Sequence, residues 1–170
     1  MKRKIWPLLT SVGLLIVGGG VFLFFAEVTL LQVTNLDRPH TLRVRVGPSE
    51  PFFIFYTHSI YDKPVMEEFV IEKDAIILKG VRTEDPGVME YYGFDDVKDF
   101  HPTERRFPRP LVVKRGMREG QGLMIGARTI YLRDLAEKGE RIQLRAVTSS
   151  LGSYLVSTVL RGFRAPHVDP

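Results

Sequence analysis

From Val28 onward, apolar and polar residues alternate with a period of two. Residues 41–46 place Leu42, Val44 and Val46 on one face and Arg43 and Arg45 on the other, the pattern of a half-buried strand. Gly47-Pro48-Ser49-Glu50-Pro51 ends it, because two prolines and a glycine cannot continue a ladder. Runs 52–58 and 65–72, the tight Lys73-Asp74 turn and run 75–81 follow. Three short strands with hairpin-length links predict an antiparallel meander. Further on, 111–114 and 123–126 are short strand candidates. Residues 129–132 lead into 133–139, which has the composition of a helical turn with a glycine stop. Residues 141–147 alternate again. In 151–163, Leu151, Leu155 and Val159 fit a helix while the β-branched content fits a strand, and we read a helix. Many short strands with little helix predict a mainly β fold, a single antiparallel β-sandwich or partly open barrel over 27–150. Residues 151–170 form a C-terminal segment of their own in this reading.

The period of two is absent before Val28. Residues 5–26 carry no charge, enough at 1.5 Å rise per residue to cross a hydrocarbon core of roughly 30 Å. A cleavable signal wants a shorter apolar region and small residues before its cleavage site, where this chain has Phe24 and Phe25. The run therefore reads as an uncleaved transmembrane anchor over 1–26. Trp6 suits the interfacial ring, and Gly18-Gly19-Gly20 offers either a close-packing face for another helix or glycines tolerated against lipid. Lys2, Arg3 and Lys4 on one flank against Glu27 on the other predict a cytoplasmic N-terminus, with the domain on the extracytoplasmic side of the cytoplasmic membrane.

Charge changes the picture at one point. The 170 residues hold 24 Lys and Arg against 20 Asp and Glu, but removing Lys2, Arg3 and Lys4 leaves 21 against 20. A nearly neutral domain has no electrostatic footprint for nucleic acid. No disulfide forms, because the chain has no cysteine. Thr83-Glu84-Asp85-Pro86-Gly87 is a turn by composition. After it come Glu90, Asp95, Asp96 and Asp99 among Tyr91, Tyr92, Phe94 and Phe100, and then Arg105, Arg106, Arg109, Lys114, Arg115 and Arg118. An acidic block followed by a basic one predicts a long surface loop over 84–118 whose charges offset each other. A cation site on the acidic half and a basic face on anionic headgroups are the sharper alternatives.

The candidate chemistry gathers at the link between runs 52–58 and 65–72, where Tyr56, His58, Ser59 and Glu67 cluster. With 59–64 as the loop, antiparallel pairing sets His58 near Val65 and Tyr56 near Glu67 on one face. Diagonal neighbours lie about 7–8 Å apart, so His58 and Glu67 come within hydrogen-bonding reach. A one-residue slip puts them on opposite faces. Three roles fit: polar groups that lock the turn, a pocket for a small anionic or polar ligand, or a Ser-His-Glu hydrolase. The last is disfavoured because Ser59 adjoins His58 in a strand and points away from it. We therefore assign Tyr56, His58, Ser59 and Glu67 as binding residues and no catalytic residue. His40, His101 and His167 lack metal-ligand spacing, and no motif calls for a cofactor.

The Tyr56-Thr57-His58-Ser59, Lys63-Pro64-Val65 and Glu67 motif resembles a family of domains of unknown function, numbered eighteen-fifty (1850). The resemblance covers roughly residues 42–147, with 129–144 matching the family's closing strand, turn and strand. The chain departs from it after Thr83, where Asp85-Pro86-Gly87-Val88 keeps one glycine of a glycine-rich stretch. Members look like small anchored proteins whose genes often lie beside TRAP-type transporters of the TAXI branch. The resemblance implies a membrane-anchored extracytoplasmic accessory domain, non-enzymatic, with transporter membrane subunits as partners. A free-standing small-ligand-binding domain and a cell-envelope hydrolase are the alternatives.

Overall fold

The computed structural model describes residues 6–95 and 98–164, with side chains between Thr10 and Leu160. Lys2, Arg3, Lys4, Asp96, His167 and the side chain of Trp6 lie outside that set. The chain separates into two compact units, one of residues 1–28 with 148–170 and one of residues 29–147.

In chain order the elements are α1 (Trp6–Phe25), β1 (Glu27–Asn35), β2 (His40–Arg45), β3 (Phe52–Thr57), β4 (Pro64–Glu72), β5 (Ala75–Arg82), α2 (Pro86–Tyr92), β6 (Phe100–Phe107), β7 (Leu111–Lys114), β8 (Gly122–Ile125), β9 (Arg128–Tyr131), β10 (Arg141–Ser150) and α3 (Leu151–Arg164). A 3-10 turn at Leu132–Asp134 follows β9. The strands form a four-stranded sheet in the order β2-β1-β10-β7 and a six-stranded sheet in the order β6-β5-β4-β3-β8-β9. The fold is mainly β, with two antiparallel sheets as in a β-sandwich. One apolar cluster joins their inner faces, with Leu31, Val33, Val44, Ile142 and Leu144 from the first sheet and Phe52, Ile54, Val65, Phe69 and Leu123 from the second.

The expected meander is β3-β4-β5, with its hairpin displaced. Tyr56 pairs with Val65, Thr57 with Pro64 and Ile54 with Glu67, so the loop is 58–63 rather than 59–64. It closes through His58 N to Lys63 O at 2.8 Å and Asp62 N to His58 O at 3.0 Å, and Asp62 takes φ of 56°, a left-handed conformation that an aspartate tolerates in a turn.

The 84–118 stretch is not a long loop; it contains α2, β6 and β7. Three local devices fix α2. Asp85 Oδ1 accepts from Val88 N at 3.1 Å as the N-cap, and Pro86 stands at the first helical position. At the far end Gly93, at φ 79° and ψ 30°, lets Phe94 N reach Met89 O at 2.9 Å, a glycine-terminated helix stop. Burial of Val88 and Met89, 0 % and 3 % exposed, supplies the tertiary support so short a helix needs. Of the residues that read as offsetting surface charge, Glu90 lies in α2, Arg105 and Arg106 in β6 and Lys114 in β7. His101, named among the histidines without ligand spacing, is buried in β6 and stacks on Phe94 at 4.3 Å.

In the helical unit, α1 presents apolar side chains all round, including Leu14, Leu15, Ile16, Val17, Phe22, Phe24 and Phe25. Among the described residues no helix is long and apolar enough to cross a membrane. The charge-free run read from the sequence begins earlier, at Ile5. The 151–163 segment is helical, as its Leu151, Leu155 and Val159 spacing predicts.

Candidate functional site

The sequence-predicted residues stand at one end of the second sheet. Tyr56 and Glu67 share the face that also carries Ile54 and Val65, diagonal to each other across the β3-β4 pair. The expected contact between His58 and Glu67 is replaced by one to α2. Tyr92 donates its hydroxyl to Glu67 Oε1 at 2.7 Å, and Tyr56 lies 3.4 Å from the same oxygen while also hydrogen-bonded to the Tyr92 hydroxyl. The physical reason for the change of partner is the displaced hairpin, which carries His58 into the turn, together with the capped helix that brings Tyr92 over the strands.

His58 is buried, 5 % exposed. Its Nδ1 accepts from Ile60 N at 3.4 Å, and its ring packs against Tyr61 at 5.2 Å and Tyr91 at 4.9 Å. Ser59 is exposed, and among the described residues no hydrogen bond joins it to His58. A chain of rings continues from Tyr91 to Tyr92 at 5.7 Å and from Tyr92 to Phe94 at 6.0 Å. The histidine is thus wedged by aromatics, and the carboxylate is held by phenols.

Burial dominates the electrostatics. It pushes the Glu67 carboxyl above the usual carboxylate range, with the hydrogen bonds from Tyr92 and Tyr56 opposing it. Burial, and then the Glu67 charge, drive both phenols well above the ordinary tyrosine value. Desolvation disfavours the charged form of each group, and a neighbouring carboxylate disfavours a second negative charge. Burial thus favours the protonated form of all three groups, and the hydrogen bonds from the phenols work against it at Glu67.

Over this network opens a cleft of about 510 Å3, lined by Tyr56, Thr57, His58, Ser59, Tyr91 and Tyr92 on one side and by Gly116, Met117, Arg118 and Gln121 on the other. The second wall is tied down from three directions. Gly116 N donates to Gln121 Oε1 at 2.8 Å, Arg115 pairs with Glu119 at 2.9 Å, and Arg118 pairs across the mouth with Asp62 at 2.7 Å. Hydroxyls, an imidazole, a guanidinium and aromatic faces converge on one half-open space, the usual make-up of a small-ligand pocket. Glu67 lies behind Tyr56 and Tyr92 rather than in the lining.

Seven of the ten lining residues, Tyr91, Tyr92, Met117 and Arg118 among them, were not among the sequence-predicted ones. For the two tyrosines a signal exists: Asp85-Pro86 is a helix start, Gly93 is a stop, and Val88, Met89 and Tyr92 follow helical spacing between them. Met117 and Arg118 sit in irregular backbone, where neither period applies. Among the described residues no group of His, Asp and Glu side chains is placed to hold a metal ion.

Comparison of the chain with family models, with curated proteins and with solved structures returns no match.

Proposed function

We propose that this chain is a non-enzymatic binding domain, anchored in the cytoplasmic membrane through the charge-free run over 5–26 and facing outward, that receives a small polar ligand in the Tyr56-His58-Tyr91-Tyr92 cleft and serves a TRAP-type solute transporter as an accessory. The observation that carries the binding role is the engagement of Glu67 Oε1 and His58 Nδ1 by neighbouring groups. Glu67 Oε1 is taken by Tyr92 and Tyr56, His58 Nδ1 accepts from Ile60 N, and Ser59 is not activated by the imidazole. A hydrolase needs a nucleophile within hydrogen-bond reach of its base, with the base oriented by a third group. A binding site needs walls, and those groups build them.

The anchor is supported by the charge-free run over 5–26 and the orientation by Lys2, Arg3 and Lys4 against Glu27, since positive residues flank the cytoplasmic end. The accessory role is supported by the family resemblance of the motif around Tyr56 and Glu67. Affinity capture of the full-length chain from solubilised native membranes tests that role. Co-recovery of an integral transporter subunit is expected. Recovery of the chain without any transporter subunit contradicts the accessory role.

A further inference from the structure

The apolar surface of the helical unit does not end with α1. Leu151 N donates to Ala26 O at 2.7 Å, which starts α3 at the C-terminal end of α1. A Cβ on Gly152 would sit 3.1 Å from Leu23 O, so glycine lets the two backbones approach this closely. Beyond the contact, Gly20, Leu23 and Phe24 of α1 and Gly152, Val156 and Leu160 of α3 wall a mostly apolar groove of about 550 Å3, completed by Ser150, Ser153 and Ser157. Leu155, Val156, Val159 and Leu160 are 43 % to 59 % exposed, and no charged residue occurs between Arg145 and Arg161.

The polar atoms of α3 point the same way. Ser157 Oγ and Thr158 Oγ1 both donate to Tyr154 O, at 2.8 and 2.9 Å. Ser150 Oγ bonds Ser153 Oγ at 2.8 Å and accepts from Ser153 N at 3.3 Å, capping the helix start. A helix in water gains little from such back-bonding. In lipid, where no water competes, polar groups must find their partners internally.

We infer that α3 is a second membrane contact: its Leu155-Val156-Val159-Leu160 side lies in lipid beside α1, and an acyl chain occupies the groove between the two helices. The inference rests on the reading of α1 as an anchor. Lipid is the occupant because the exposed side of α3 continues a helix that is apolar on every face, and such a helix matches hydrocarbon rather than one protein groove. Arg161 ends the apolar run of α3 after about 15 Å of helix. That is too short to cross about 30 Å of hydrocarbon, so α3 stays within one leaflet.

The absence of cysteine makes the test direct. Single cysteines replace Val159, Leu15 and, as a water reference on the exposed edge of β9, Thr129 in the full-length chain, each labelled with an environment-sensitive fluorophore. The protein is reconstituted in phosphatidylcholine-phosphatidylglycerol vesicles with and without nitroxide-labelled acyl chains. Val159→Cys is expected to show blue-shifted emission quenched by the nitroxides, as Leu15→Cys does, with Thr129→Cys unquenched. Water-like emission at Val159→Cys beside a quenched Leu15→Cys overturns the inference and leaves the anchor standing. Water-like emission at both positions overturns the anchor, and this inference with it. An apolar signal at Val159→Cys that is lost on dilution into excess lipid shows a second copy as the occupant and also overturns it.

Discussion

At the scale of single residues the account turns on Glu67 and the two phenols that hold it. Tyr92→Phe keeps the ring and removes the 2.7 Å donor, stranding a buried carboxylate; hydrogen bonds to charged groups are worth about 1.5–3 kcal/mol. In a chain of this size such a loss lowers the melting temperature by roughly 3–12 °C. Tyr56→Phe removes the longer contact at 3.4 Å and leaves Tyr92 in place, so its effect is the smaller of the two. Thermal melts of both variants in detergent check that order, and a larger loss for Tyr56→Phe contradicts the assignment of Tyr92 as the principal donor.

The raised Glu67 carboxyl fixes the sign of a pH effect. A group that holds its proton more tightly in the folded than in the unfolded chain contributes stability below its unfolded value, near 4.5, and loses it as pH rises through the folded value. Exposed Glu119 and half-buried Glu140, held low by Lys138 and by Asn35 respectively, act in the opposite sense, losing stability as pH falls. Comparison with Glu67→Gln isolates the buried carboxyl. The stability of that variant relative to the parent is expected to rise as pH increases from about 4.5, followed by denaturant titration at a series of pH values. A difference that is flat or falls with pH contradicts the burial of this carboxylate.

At the scale of elements, α2 decides whether a site exists, because it brings Tyr92 to Glu67 and Tyr91 to His58. Its seven residues are too few to be stable alone. Asp85→Ala removes the cap on Val88 N and costs about 1 kcal/mol. The same substitution is expected to loosen the ring packing around Tyr91 and Tyr92, read as a change in near-ultraviolet circular dichroism larger than the far-ultraviolet change. An unaltered near-ultraviolet spectrum contradicts the role of the cap.

The same element marks the boundary of what the chain's pattern could reveal. Strands with one buried face announced themselves by alternation: Leu42, Val44, Val46 and their partners point inward as the period of two requires. Register is a finer matter. The hairpin moved to 58–63 because Asp62 accepts a left-handed conformation, which alternation does not encode, and the shift took His58 away from Glu67. In the stretch after Thr83, charge density masked structure. Asp85 acts as a cap and Arg105 and Arg106 lie in β6, so residues that look like solvated charge are parts of a helix start and a sheet. The Tyr92 partner of Glu67 is 25 residues distant in sequence, a separation that no local period reaches.

At the scale of the molecule, the two units divide the work. The helical unit carries apolar surface on α1 and α3, and the β unit carries a cleft with a polar floor and tied walls. The second wall is braced by Gln121, which bridges Gly116 N at 2.8 Å and Lys114 O at 3.3 Å. Pre-formed walls of this kind favour binding, because little ordering is left to be done when a ligand arrives.

The central claim is that the cleft is a binding site whose walls can be altered without loss of the fold. Tyr91 tests it best, since it lines the cleft while remaining 64 % exposed. Native mass spectrometry of the full-length chain, extracted gently from its own membranes, is run on the parent and on Tyr91→Ser after their melting temperatures are shown to agree. The account predicts a small polar molecule bound to the parent at one per chain and lost from the variant. The same mass of bound molecule at the same occupancy in both proteins would contradict it.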